Sequence, residues 1–275
     1  MMNSTKILTT KISSAIIKSM EGNQTFEKAP KRRRPRFRWR RIIALLILLG
    51  GITFWLIVNP ASYESEIIYQ APSADATDTN APLATAVLAQ LEVKGRAPKT
   101  GYERTQFYDG WPNMEDGCNL RQKILRRDLG DSAKLDGCNV VSGEYTEPYT
   151  GEHLIFTARE QISKGLQIDH IVALSDAWQK GAQNLEQAVR YQLATDPLNL
   201  VAADSSANQK KSDGDAATWL PSNKAFRCEY VARQVSVKYK YHLWVTEAER
   251  DAINNVLQNC PNQLAVGVTL PSGQN

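Results

Sequence analysis

The chain has 275 residues, enough for one large domain or two small ones, and 42% of them are hydrophobic. Its net charge of +4 is unevenly spread. Residues 1–60 carry 12 Lys and Arg against 2 Asp and Glu, whereas the rest of the chain carries 21 against 27 and is acidic overall. This distribution argues against a broad cationic nucleic-acid-binding surface on the larger, C-terminal part.

The N-terminal part predicts export across a membrane. Residues 1–41 form a polar and then basic tail, with eight cations in the eleven positions of 31–41. An uncharged apolar run of 17 residues follows at 42–58. This order predicts a transmembrane signal anchor with the tail in the cytoplasm and the remainder outside. A cleaved signal peptide with a secreted product is the alternative, since small residues follow at 60–62.

Residues 59–81 are rich in Ala, Ser, Asp, Thr and Pro, and this composition predicts a linker. Residues 82–275 then form one domain that is large enough for a hydrophobic core. All four cysteines lie in it, and none belongs to a CxxC pair of the kind that binds zinc. An even number of cysteines in an exported domain predicts two disulfides. Sequence order favours Cys118–Cys138 and Cys228–Cys260 among three possible pairings.

Periodicity predicts a mixed α+β domain with much helix. Apolar residues at helical spacing begin at Leu83, and a second helix ends the stretch 111–128. Turns are predicted near 130–132 and 142–143. The remaining predicted elements are strands at 153–156, 167–174 and 198–202, a helix over 175–194, a helix through 208–211 capped by Ser205 or Ser206, and helices near 225–240 and 246–258.

Five polar residues around the predicted strands at 167–174 and 198–202 form the strongest candidate site. Asp169 and Asn208 offer a carboxylate and an amide oxygen, the ligand types that Mg²⁺ prefers. His170 is the candidate general base, because imidazole titrates near neutral pH. Asn199 can tie the intervening loop and hold His170 in place. Lys211, one helical turn beyond Asn208, can contact a phosphate oxygen.

Each of these residues also has an ordinary structural interpretation. An Asp-His pair at a strand end is a common polar loop feature, and Asn199 follows Asp-Pro-Leu as a turn residue would. Asn208 and Lys211 can be solvated helix positions. The order and spacing of the whole set therefore carry the hypothesis.

The set resembles the HNH (ββα-metal) endonuclease family, in the exported branch related to the C-terminal domain of GmrSD-type restriction enzymes. Residues 83–260 share the resemblance. The matching segments are Gln167-Ile-Asp-His-Ile-Val-Ala-Leu-Ser-Asp-Ala-Trp178, Asp196-Pro-Leu-Asn-Leu200, Ala207-Asn-Gln-Lys210 and Asp215-Ala-Ala-Thr-Trp-Leu-Pro221, with Gly101-Tyr102, Arg104 and Asp116-Gly-Cys-Asn-Leu-Arg121 upstream and Tyr230-Val-Ala-Arg-Gln234 downstream.

The resemblance implies a helix-rich domain around a ββα-metal core, preceded here by the transmembrane or signal-anchor helix. It implies that Asp169 binds the metal, His170 activates water, Asn199 braces the loop and Asn208 completes the metal site. The last position of the motif is often His in the family, and Asn208 in its place leaves both Mg²⁺ and Mn²⁺ open. The role of Lys211 is not given by the family.

We therefore expect a metal-dependent endonuclease that hydrolyses phosphodiester bonds of nucleic acid outside the cytoplasmic membrane. DNA is favoured over RNA as its substrate. One alternative is a non-catalytic surface module that binds nucleic acid or a wall polymer on the same scaffold. A second is a toxin-like effector with an immunity protein as its partner. A third is another metal hydrolase that uses the same Asp, His and Asn side chains.

Overall fold

The computed structural model describes residues 81–270, and this part of the chain has eight α-helices, five β-strands and several short 3₁₀ turns. In chain order the elements are α1 (Ala84–Gln90), α2 (Leu120–Leu129), β1 (Lys134–Asp136), β2 (Asn139–Thr146), β3 (His153–Phe156), α3 (Arg159–Gly165), β4 (Leu166–His170), α4 (Leu174–Gln179), α5 (Gln187–Thr195), β5 (Leu200–Asp204), α6 (Ser205–Lys211), α7 (Arg227–Lys240) and α8 (Glu247–Leu257). The predicted mixed α+β class is confirmed.

The predicted anchor at 42–58 lies outside the described residues. Among residues 81–270 no helix is both long and apolar enough to cross a bilayer.

The strands form two separate antiparallel sheets, one of β1, β2 and β3 and one of β4 and β5. The predicted turn near 142–143 is wrong, because Ser142 pairs with Lys134 and Gly143 pairs with Phe156 inside β2. A Cβ atom at Gly143 would lie 2.9 Å from the Leu129 side chain. The Ser132 carbonyl oxygen would also lie 3.2 Å away, so glycine at this position accommodates a close approach inside the sheet and does not mark a turn.

The predicted single helix over 175–194 is divided in the structure. It ends as α4 at Gln179, continues through a 3₁₀ turn at Ala182–Asn184 and resumes as α5. Gly181 has a φ of 122°, and a Cβ atom on it would lie 3.2 Å from the Trp244 ring. The helix breaks here because the backbone takes a conformation open only to glycine and packs against an aromatic ring.

The β4–β5 hairpin is enclosed on both faces. Leu166 and Ile168 join the apolar cluster around α2, together with Leu200 and Ala202 of the opposite strand. On the other face, Val201 and Ala203 join a second cluster that includes α7 and α8. A two-stranded hairpin is marginal alone, so packing against helices on both faces is what fixes its position.

Helix α7 crosses behind this hairpin and is buried from Tyr230 to Lys238. Its polar side chains satisfy backbone carbonyl groups around the strand ends. Arg233 donates to the carbonyl oxygens of Leu198 and Leu200, and Gln234 donates to that of Ile171. Since a buried carbonyl without a partner costs about 1–3 kcal/mol, these contacts stabilise the loops that flank the candidate site.

Both predicted disulfides are present, as Cys118–Cys138 and Cys228–Cys260. Their Cα–Cα distances are 5.4 Å and 6.3 Å, within the usual range for a disulfide. The first ties the start of α2 to the β1–β2 turn, and the second ties α7 to the segment after α8. Two cross-links in one domain fit an oxidising compartment.

Candidate active site

A strand, a second strand and a short helix meet at one end of the hairpin. Strand β4 ends at His170, which pairs with Leu200, and Asp169 pairs with Val201. Helix α6 follows β5 directly and is capped by Asp204, whose side chain accepts from the amide of Ala207 at 2.8 Å. The expected cap at Ser205 or Ser206 is therefore wrong, because the last residue of the strand provides it. This is the strand–strand–helix order that the sequence predicts.

Asp169 lies on the face of β4 that contacts α6. Its Oδ2 accepts a hydrogen bond of 2.6 Å from the Tyr149 hydroxyl. The Lys211 ammonium is 3.0 Å from Oδ2 and 3.3 Å from Oδ1. Burial, reinforced by the charge of Asp169, raises the pKa of the Tyr149 hydroxyl well above its usual value, so Tyr149 remains a donor. The carboxylate is thus fixed from the protein side by a hydroxyl and a cation.

Lys211 lies behind Asp169 and is fully buried. Besides its ion pair it donates to the His170 carbonyl oxygen at 2.8 Å. The residue reaches this position because it lies one turn after Asn208 on α6, and Asn208 donates to Gln167, two residues before Asp169 in β4. In this arrangement the Lys211 ammonium faces the carboxylate and the end of β4.

His170 is buried, with 4% of its surface exposed. Its Nε2 is 2.9 Å from the Ala194 carbonyl oxygen, which can only accept, so Nε2 carries the proton and Nδ1 is the basic nitrogen. The Trp111 ring stacks on the imidazole with 5.8 Å between centroids and 15° between planes. Burial, together with the positive charge of Arg104, lowers the pKa of His170 to about 3. The imidazole is therefore neutral at physiological pH.

Asn199 is fully buried between the loop after His170 and the end of α5. Its Oδ1 accepts from the Val172 amide at 2.8 Å, and its Nδ2 donates to the Leu193 carbonyl oxygen at 3.1 Å. Its own carbonyl oxygen accepts from the Ile171 amide at 2.8 Å. Asn199 thus lies behind His170, and its contacts join the loop after His170 to the helix whose carbonyl holds the imidazole.

A cleft of about 410 Å³ opens over these residues. Asp169, His170 and Asn208 line it, together with Arg104 and Lys99 from the segment between α1 and α2. Among the predicted site residues, Asn199 and Lys211 do not line the cleft. Lys211 contacts Asp169 and His170, which do, whereas Asn199 contacts the backbone of the loop that follows His170. The predicted set therefore divides into three side chains that can meet a ligand and two that position them.

The donor atoms in the cleft suit a Mg²⁺-like cation. Within residues 81–270 there is no group of three or more His, Cys, Asp or Glu side chains that could hold a metal ion. A metal would depend on one carboxylate oxygen of Asp169, the amide oxygen of Asn208 and water. Mg²⁺ keeps several waters and is often held by one or two carboxylates, so this sparse oxygen set fits it.

A buried ionic cluster lies beside the cleft and was not predicted. The cations are Arg96, Lys180 and Lys238, and the carboxylates are Asp176, Asp215 and Glu249. Burial opposes ionisation of Asp215, but contacts with Lys180 and Arg96 hold the pKa of its carboxyl at about 2. Equal numbers of each charge make the cluster neutral, and it connects α4, α7, α8 and the segment after α6.

Sequence reasoning also missed Tyr149 and Trp111, which contact Asp169 and His170. Neither lies in a periodic element, since Trp111 precedes α2 and Tyr149 lies in the turn between β2 and β3. Asp176 and Asp215 do fall in the segments that resemble the HNH family, so that resemblance was a signal for the ionic cluster. Nothing in the pattern around Tyr149 pointed to Asp169.

Comparison with known proteins identifies a family and a relative of this chain. The family model for the C-terminal domain of GmrSD restriction endonucleases matches residues 102–256. The chain is also 34% identical over 199 residues to an uncharacterized secreted protein of Arthroderma benhamiae, an alignment that covers 70% of this chain and 94% of the relative. No solved structure matches the chain. The family match spans more than half of the chain and includes Asp169, His170, Asn199, Asn208 and Lys211, so this protein belongs to the family of GmrSD restriction endonuclease C-terminal domains, an HNH-type nuclease family.

Proposed function

We propose that this protein is a metal-dependent endonuclease that hydrolyses phosphodiester bonds of nucleic acid, with DNA as the first candidate substrate. The observation that carries the proposal is the state of His170. Its imidazole is neutral, its Nε2 proton is held by a backbone carbonyl, and it lines the same cleft as Asp169 and Asn208. An imidazole fixed in orientation beside oxygen ligands for a cation can accept the proton of an attacking water.

The chain's own residues have separate roles in this proposal. His170 Nδ1 accepts a proton from the water whose oxygen bonds to phosphorus. The bond from phosphorus to the leaving oxygen breaks, and solvent returns a proton to that oxygen. Asp169 and Asn208 would hold a divalent cation, which when bound supplies positive charge against the extra negative charge of the transition state.

The positioning residues act through these groups. Asn199 fixes the loop after His170 and so the direction in which the imidazole points. Lys211 and Tyr149 hold the Asp169 carboxylate in one orientation. A ligand fixed in this way loses little conformational freedom when it binds a cation or a substrate.

We also propose that domain 82–275 acts outside the cytoplasmic membrane. The secreted relative and the two disulfides support this location. The apolar run 42–58 would deliver the domain across the membrane, either as a retained anchor after the cytoplasmic tail 1–41 or as a cleaved signal, with 59–81 as the linker.

The direct test is cleavage of supercoiled plasmid DNA, and of RNA in parallel, by the purified full-length chain with Mg²⁺ or Mn²⁺. We expect cutting that EDTA abolishes. The His170→Ala variant should lose about 100-fold or more, the typical contribution of a general base. His153→Ala is the matched control, because His153 is exposed on β3 and pairs only with surface groups.

The outcomes separate the parts of the proposal. Equal cutting by wild type and His170→Ala would remove His170 from the mechanism. Binding of metal and DNA without cleavage of either nucleic acid would contradict an enzymatic function and favour a binding module.

A further inference from the structure

Arg104 is a cation of the cleft that none of the roles above uses. It begins the 3₁₀ turn Arg104–Gln106 and lines the cleft with Asp169 and His170. Its guanidinium lies over the Tyr108 ring at 5.0 Å and also donates to the Tyr108 hydroxyl. Of the guanidinium nitrogens, Nη2 donates to Tyr108, and the other N–H donors remain available on this exposed side chain.

Arg104 differs from the neighbouring cations in that it is not paired with a carboxylate. Lys99, which lines the same cleft, is paired with Asp213 at 3.0 Å. Arg96 is paired with carboxylates of the buried ionic cluster. Within residues 81–270, Arg104 has no contact with a carboxylate. Its guanidinium is therefore not engaged by a carboxylate of this part of the chain and can donate to an anion.

Arg104 also lies close to the proposed base. The Arg104 guanidinium lies over the Tyr108 ring, and the centroid of that ring is 6.0 Å from the centroid of the His170 ring. An anion bound at Arg104 would thus lie in the same cleft as the imidazole that accepts the proton.

We propose that Arg104 is the phosphate-binding residue of this cleft and that its guanidinium holds the non-bridging oxygens of the phosphodiester beside His170. The assignment rests on the proposed nuclease function and adds to it the group that positions the substrate. Guanidinium is suited to this because its planar fork donates two parallel hydrogen bonds to a phosphate. Lys99 is less suited to this role, since its single ammonium lacks the planar fork and also contacts Asp213.

The test measures phosphodiester binding without catalysis. The probe is the dinucleoside monophosphate thymidylyl-thymidine, titrated in EDTA into the full-length chain labelled with ¹³C-histidine. The chain has three histidines, so the ring signal of His170 can be followed against those of His153 and His242. For the wild type we expect a saturable shift of the His170 signal alone.

The Arg104→Met variant should weaken this binding by at least ~10-fold, the effect of losing hydrogen bonds to a charged group. The Lys99→Met variant, which removes the same charge from the same cleft, should stay within about 3-fold of wild type, since Lys99 is already paired. Arg104→Lys should recover only part of the affinity. Because Arg104 is exposed, its replacement should leave the domain folded, and unchanged His153 and His242 signals would verify this.

Equal affinity of Arg104→Met and wild type would overturn the assignment, as would equal losses in the Arg104 and Lys99 variants. Because the titration contains no divalent metal, its result does not depend on catalysis. A protein that binds the probe through Arg104 but does not cut plasmid would refute only the nuclease function. One that cuts plasmid but binds the probe without Arg104 would refute only the phosphate-binding role.

Discussion

The ion pair between Lys211 and Asp169 should be strongly coupled to folding. Lys211→Met keeps the length of the side chain but removes the ammonium, which leaves the Asp169 carboxylate buried with the Tyr149 hydroxyl as its remaining side-chain donor. Asp169→Asn makes the opposite change and leaves a buried ammonium opposite a neutral amide. Each single variant therefore leaves one buried charge without its oppositely charged partner, in a site with little water.

The expected magnitude follows from this burial. The side chains of Lys211 and Asp169 are 0% and 9% exposed. Removing one partner of a buried pair costs about 3–5 kcal/mol, a large part of the roughly 5–15 kcal/mol that separates folded from unfolded domains. The double variant has neither charge, so we expect its loss to be smaller than the two single losses added together by at least about 2 kcal/mol.

The measurement is urea unfolding at pH 7, followed by the fluorescence of the six tryptophans with the disulfides intact. A matched control is the exposed pair Lys164–Glu160, with an Nζ–Oε1 distance of 2.6 Å and side chains 76% and 75% exposed. Changing Lys164 to Met and Glu160 to Gln should give a coupling below about 0.5 kcal/mol. Additive losses at Lys211 and Asp169 would refute the idea that Lys211 neutralises Asp169.

Two further predictions concern the residues around the base. The pKa of His170 is about 3 in the folded protein, against an ordinary value of about 6.5 in the unfolded chain. As the pH falls below 6.5, the unfolded imidazole therefore takes up a proton first, and the free energy of unfolding decreases. In a plot of the free energy of unfolding against pH, His170→Gln should lower the slope by about 1.4 kcal/mol per pH unit between pH 6 and 4. A slope identical in wild type and variant would contradict a buried neutral His170. Asn199→Ala leaves the Val172 amide and the Leu193 carbonyl without their partner; it should cost about 2–4 kcal/mol in urea unfolding and slow plasmid cleavage. A loss below about 1 kcal/mol would show that the loop does not depend on Asn199.

The order of elements around the site was predictable because local patterns encode it. Short apolar runs on both sides of 169–170 and 199 indicate strands, and polar residues at helical spacing from 205 indicate a helix. Element ends were less accurate. Strand β5 begins at Leu200, two residues later than predicted, because Pro197 and Asp196 form a 3₁₀ turn in which the Asp196 side chain accepts from the Leu198 amide.

The contacts that fix Asp169 could not be read from periodicity. Tyr149 is 20 residues away in an irregular turn, and its direction depends on how that turn packs on α7. Lys211 is followed by Ser212 and Asp213 and reads as a solvated helix end. Its burial follows from the pairing of β4 with β5, which places Asp169 on the α6 side of the hairpin. These features depend on tertiary packing, which overrides the local pattern.

The acidic balance of residues 61–275 does not prevent phosphodiester binding, because only nearby charges act on a bound phosphate. At physiological salt, electrostatic interactions between exposed groups decay over about 8 Å. Near His170, Lys211 offsets Asp169, and Arg104 adds a positive charge that has no ion pair among residues 81–270. The cleft can therefore hold one phosphate while the surrounding surface attracts few others. Each phosphate contact changes log K by about −0.9 per unit of log salt on duplex DNA, so a cleft of this kind should bind DNA weakly and with a shallow salt dependence.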